Sequence, residues 1–227
     1  PRSTLFPYTT LSDLHIDLGP TVLSLAGIPT PASMEGKPFA TFQPAKEIHQ
    51  YIYAARDRMD SEYDRVRAVR DKRFKYIRNF RPELPKYQNI EFRLQQDMMK
   101  EMLELKTHGK LDRIQMQWFT PTKPAEELYD LAKDPNELKN LAVDKTYQPQ
   151  LLRLRKELDR WMKAVNDMGA IPEKDLVKRM WQGKDAPPVT APVIAAIKNN
   201  LVTLSCATPG ASIGYMEIGR ASCRERV

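Results

Sequence analysis

The chain has 227 residues, 41% of them hydrophobic and 29% charged, enough for one modest domain with a core or for that plus a fragment of another. Its formal charge of +7 is spread along the chain without a block of five or six basic residues, which argues for an ordinary solvated surface, or one suited to a polyanionic sugar, over a nucleic-acid footprint. No run approaches the roughly 18 apolar residues of a membrane span, and the first ten residues lack the apolar stretch of a signal peptide.

Both ends read as foreign. Thr4–Leu11 (T-L-F-P-Y-T-T-L) and Glu217–Val227 (E-I-G-R-A-S-C-R-E-R-V) look like translations of a sequencing-adapter oligonucleotide, the second from the opposite strand. On this reading residues 1–14 and 217–227 are artefacts, the natural sequence runs from near His15 to near Tyr215, and Cys223 is not native. The alternative is a pair of natural disordered tails.

Asp17–Pro29 predicts a short helix with Asp17 as N-cap, Pro20 in the first turn, Gly27 at the left-handed C′ position and Pro29 as stop. Leu18, Val22, Leu25 and Ala26 would be its packed face. From Ile48 the period changes to two. Ile48–Ala55, Val66–Val69 and Phe74–Ile77 predict strands, with a tight hairpin at Asp71-Lys72 and the alternating Arg and Lys side chains on a wet face.

Pro85–Gly109 predicts one helix with the stripe Ile90, Leu94, Met98, Met102 and Leu105, a core face or an adaptable Met-rich binding surface. Glu127–Leu131 predicts a strand, and Asp134-Pro135-Asn136-Glu137 has the N-cap, N1 proline and N3 acid of a helix start. Leu151, Leu154, Leu158, Trp161 and Val165 mark an amphipathic helix ended by Gly169. Asp185–Pro192 reads as a stiff linker. Beyond it Leu201–Cys206 predicts a strand, Thr208-Pro209-Gly210 a turn and Ser212–Tyr215 a second strand, the opening of a β-sandwich.

Chemistry is sparse. His15, His49 and His108 fall in three elements without metal-ligand spacing, and Cys206 and Cys223 are too few for a disulfide framework. There is no G-x-S-x-G elbow, phosphate-binding loop or G-x-G-x-x-G. Glu126-Glu127 and the Asp60/Glu62 pair carry no specific acid–base signal. The dense polar group is Arg56-Asp57-Arg58-Met59-Asp60, directly after a predicted strand. Planar guanidinium forks beside carboxylates suit the anionic groups and hydroxyls of a sugar; the same residues also suit a self-neutralising ion-pair loop.

Four segments in order resemble the C-terminal third of the sulfatase family, in the alkaline-phosphatase-like superfamily. Asp17–Ile28 (D-L-G-P-T-V-L-S-L-A-G-I) is similar to the family helix D-L-x-P-T-(I/L/V)-L-x-L-A-G-(I/V). Met34–Phe39 resembles M-x-G-(R/K)-S-L, Arg67–Ile77 the R-(A/M)-(V/I)-R-x-x-(R/K)-(Y/F)-K-(Y/L)-I hairpin, and Glu127–Leu141 the E-L-Y-D-L-x-x-D-P-x-E-x-x-N-L segment. The helical insert before Glu127, with Arg56-Asp57-Arg58, resembles the N-sulfoglucosamine sulfohydrolase (heparan sulfamidase) branch, and Val189–Tyr215 the start of a chitobiase/hexosaminidase C-terminal-type sandwich.

The resemblance implies an α+β fold: a small antiparallel sheet flanked by helices over residues 15–184, a linker at 185–192, and a truncated β-sandwich start at 193–216. It implies a parent, secreted or periplasmic, that hydrolyses a sulfate ester or sulfamate on a glycan with a formylglycine hydrate and calcium. The family's C/S-x-P-S/A-R motif is absent, as are its metal-binding acidic clusters and its catalytic Lys and His, so this chain is expected to catalyse nothing, bind no cofactor and lend walls to a substrate cleft. Arg56, Asp57 and Arg58 are the residues expected to touch sugar. The other reading is an autonomous, non-enzymatic module that binds acidic glycans.

Overall fold

The computed structural model describes residues 15–40 and 49–215; the adapter-like ends and Cys223 lie outside them. The fold is α+β, with small antiparallel sheets and helices. It divides into two compact units between Gly169 and Ala170, and the linker expected at 185–192 falls within the second.

The first unit opens with α1 (His15–Leu25), followed by Gly27 at φ 72° as expected. Asp17 is not its N-cap, because the helix is already formed at His15. Instead the buried Asp17 carboxylate accepts the Lys37 backbone N–H at 2.8 Å and lies 3.0 Å from His49 Nε2. Thr21 Oγ1 donates to the Asp17 carbonyl at 2.6 Å and accepts the Phe39 N–H at 3.1 Å. A side chain at Gly36 would strike the Ile16 carbonyl, so only glycine lets the 34–39 segment approach the helix this closely. The D-L-G-P-T and M-E-G-K segments are thus two halves of one contact. As a result α1 buries Asp17, Pro20 and Thr21, while Leu18, Val22 and Leu25, expected to pack, are exposed among the described residues.

Strands β1 (Ile52–Met59), β2 (Glu62–Arg70), β3 (Phe74–Asn79) and β4 (Glu126–Asp130) form an antiparallel sheet in chain order. The β2–β3 turn lies where expected: Asp71 Oδ1 accepts the Arg73 and Phe74 N–H groups at 2.8 and 2.6 Å. Tyr53, Val69, Tyr76 and Leu128 stand opposite one another across the four strands, so they line one face. Helix α5 (Gln148–Ala164) closes that face with Leu151, Leu154 and Leu158, which join Val69, Phe74, Tyr76, Leu128 and Leu141 in the core. Each such leucine contributes about 1.5–3 kcal/mol of apolar burial. Tyr53 stacks on Trp161 at 4.8 Å.

Several expectations need correction. The helix expected over 85–109 is broken at Gln95-Gln96 into α2 (Glu91–Leu94) and α3 (Asp97–Thr107). The break shifts the phase: Met99 is 1% exposed and packs with Tyr87 and Phe119, whereas Met98 is 71% exposed. After α4 (Arg113–Met116), Asp134–Glu137 starts no helix; it is a turn with Glu137 at φ 55°, whose carboxylate reaches Lys75 Nζ at 2.7 Å. α5 begins at Gln148 with a proline at its first positions and ends before Asn166, at φ 51°, so Gly169 does not terminate it and Val165 lies outside the core. Arg67, expected on a wet face, is 1% exposed.

The second unit holds α6 (Glu173–Met180) and a hairpin of β5 (Val193–Lys198) with β6 (Leu201–Cys206). Asn199 and Asn200 both take positive φ, as a two-residue type I′ turn requires. β5 was not anticipated, because its apolar run follows a proline-rich stretch that obscures its start. Ser212–Tyr215 is not a strand.

Candidate binding cleft

β1 carries Arg56-Asp57-Arg58 within the strand, ahead of the Asp60 turn, and not in the loop expected after it. A register irregularity between Arg56 and Arg58 sends the three to different places. Arg56 points to the sheet face opposite α5, where its Nη2 donates to buried Asp64. Asp57 turns to the α5 side and accepts Arg67 Nη2 at 3.0 Å on both oxygens. Arg58 is exposed, its Nη1 3.4 Å from the Asp60 carbonyl oxygen. The structure therefore does not bring the expected triplet together.

Arg56 instead lines a cleft of about 320 Å³ with Val66, Ile77, Asn79, Lys86, Trp118, Lys123, Glu127, Tyr129 and Glu137. Alternation along β4 places Glu127 and Tyr129 on this face and Leu128 and Asp130 on the other, which explains the E-L-Y-D order. Beneath the cleft, Asp64 Oδ2 accepts Lys123 Nζ at 2.6 Å; both side chains are almost fully buried. Glu127 accepts Lys86 Nζ at 2.6 Å, Asn79 Nδ2 at 2.8 Å and the Tyr129 hydroxyl. Burial alone would raise the Glu127 pKa, but Lys86 and these hydrogen bonds outweigh it and hold the carboxyl below its usual range. Burial and Glu127 push the Tyr129 phenol well above its ordinary value. Arg56 Nε is buried without a hydrogen-bond partner among the described residues.

This arrangement offers guanidinium, ammonium and carboxylate groups to a polar ligand. The lining holds no serine, threonine, cysteine or histidine, and its phenol stays protonated. Among the described residues no three His, Cys, Asp or Glu side chains converge as metal ligands. No helix among them is long and apolar enough to cross a membrane.

On the α5 side, Arg67 is held by Asp57 and by Asp167 Oδ1 at 2.7 Å, while Arg65 Nη2 donates to Asp167 Oδ2 at 2.9 Å. Burial alone would lower the Arg67 pKa; Asp167 and Asp57 outweigh it and hold the guanidinium above its ordinary value. A Cβ at Gly169 would collide with Arg67 Nη2 and lie 2.7 Å from Asp57 Oδ1. The missing side chain at Gly169 makes room for this approach, a role the sequence reading missed. Gly169→Ala is expected to destabilise the first unit by about 1–3 kcal/mol, an overpacking cost; an unchanged urea midpoint would contradict this.

No family model matches the chain. Its sequence is 49% identical over 200 residues to an ulvan-active sulfatase of Formosa agariphila, covering 88% of this chain and 33% of the relative. The chain's homologues are sulfatases. A second ulvan-active sulfatase of that organism is 33% identical over 159 residues, covering 68% of this chain and 29% of the relative. The chain therefore spans about a third of the length of the curated relatives it matches. A solved 2-O GAG sulfatase aligns over 66% of this chain and 25% of its own, at 26% identity and a TM-score of 0.42.

Proposed function

We propose that this chain is the C-terminal part of a sulfatase acting on an ulvan-type sulfated glycan, and that it walls a substrate cleft without supplying the nucleophile. The observation that carries this reading is the 49% identity to an ulvan-active sulfatase over 200 residues. In the whole protein, formylglycine and calcium would come from the part this chain does not span. The relatives favour an ulvan-type substrate over the N-sulfoglucosamine expected from the helical insert. We assign the parent to the periplasm or the exterior of the cell, where such polysaccharides are met. The β5–β6 hairpin, apolar and exposed on both faces, would begin a further β-sandwich, since a lone two-stranded hairpin is marginal in water.

Of the three expected contacts, Arg56 is the best supported, because it lines the cleft with an unspent buried donor. Asp57 would act through Arg67 and not by touching sugar, and Arg58 would meet substrate at the exposed strand end. Arg56→Gln is expected to weaken binding of a sulfated ulvan oligosaccharide to the full chain by roughly tenfold, the scale of one charged hydrogen bond. Calorimetric titration checks this. Equal affinity for the variant and the parent sequence would remove Arg56 from the site, and binding indifferent to desulfation would remove the substrate class.

A further inference from the structure

A second cleft, of about 620 Å³, lies at the other end of the sheet and on its α5 face, formed by Gln50, Tyr51, Asp71, Lys72, Arg73, Phe74 and Arg153. Nothing in the function proposed above uses it. Lys72, Arg73 and Arg153 line it with the Asp71 carboxylate, and the Asp130 carboxylate lies behind Arg73. Arg73 Nε and Nη2 fork onto Asp130 at 2.9 and 2.7 Å, and Arg153 is tied to Asp71 and, at 2.9 Å, to the Tyr51 hydroxyl. These bonds leave both Arg73 Nη1 hydrogens and the Arg153 Nε–H uncommitted among the described residues, on side chains 51% and 43% exposed. The guanidinium groups are thus fixed in direction and yet still open to a ligand, which lowers the ordering cost of binding an oxyanion. Tyr51 and Phe74 give the cleft aromatic walls, with Arg153 and Arg73 set over their rings. Oxyanion donors beside aromatic surface suit an anion carried on a sugar ring better than a free ion.

We propose that this hairpin cleft is an ancillary subsite for a sulfated saccharide, separate from the Arg56 cleft. It rests on the sulfated-glycan reading only for the choice of ligand. The side chains carrying it belong to the β2–β3 hairpin and the second turn of α5, and the Arg56 cleft shares none of them.

The test is calorimetric titration of the full chain with a sulfated ulvan tetrasaccharide, its desulfated counterpart and inorganic sulfate. The proteins are the parent sequence, Lys72→Ala/Arg153→Gln, and Arg56→Gln. Amide exchange at residues 71–74 reports occupancy of the hairpin directly. Expected are a roughly tenfold or greater loss of tetrasaccharide affinity in the hairpin variant, hairpin protection retained in Arg56→Gln, and much weaker binding of the other two ligands. The proposal is overturned if the hairpin variant binds and is protected like the parent sequence, if desulfation makes no difference, or if inorganic sulfate binds as tightly as the sugar. Loss confined to Arg56→Gln would also overturn it, while supporting the Arg56 cleft. Because Lys72 and Arg153 lie at the surface, an unchanged melt distinguishes a lost contact from a lost fold.

Discussion

Asp64→Ala is expected to destabilise the first unit by about 3–5 kcal/mol, because it strands a buried ammonium. Lys123 Nζ lies 2.6 Å from Asp64 Oδ2 with each side chain no more than 2% exposed, and Arg56 shares the same oxygen. The Asp64 and Lys123 charges have left water, and each is tolerable only while the other remains. The double change Asp64→Leu/Lys123→Met should recover most of the loss, since a buried pair replaced by apolar groups of similar volume is often neutral. It should still weaken sugar binding, because Arg56 then loses the carboxylate that aims it. Urea denaturation of the three proteins decides the matter; a single-variant loss under about 1 kcal/mol would mean the pair is effectively solvated.

The core beneath α5 gives the other large effect. Leu154 is fully buried between the helix and the sheet, so Leu154→Ala is expected to cost about 2–5 kcal/mol, transfer and cavity terms together. Leu152, two residues away and 53% exposed, is the control and should change stability by no more than about 0.5 kcal/mol. Comparable losses at the two positions would refute the packing of α5 on this face.

Much of the fold was legible because its signals are local. The period of Leu151, Leu154 and Leu158 marks a helix face whatever it packs against, and the alternation around Val69 and Tyr76 marks a half-buried strand. The failures came where distant residues decide. Asp17 has the chemistry of an N-cap, yet the Lys37 amide and His49 claim its carboxylate. Gly169 looked like a stop signal, but its missing side chain makes room for Arg67 and Asp57. Arg67 read as wet because sequence alone cannot show that Asp57 and Asp167, one from a strand and one from beyond α5, would neutralise it.

The candidate cleft was half visible. Arg56 was expected, but its neighbours Asp64, Lys86 and Lys123 are ordinary charged residues in sequence, joined only by the fold. The E-L-Y-D segment did carry a usable signal: read with period two, it sets Glu127 and Tyr129 on one face, and a glutamate and tyrosine facing inward together imply a polar pocket.

We propose that this chain shapes and binds but does not cleave. Sulfate release from ulvan oligosaccharides by the purified 227-residue chain, with calcium supplied and no other protein present, tests it most directly. No release above a buffer control is expected. Sustained, enzyme-proportional release would mean that a nucleophile resides in this chain after all.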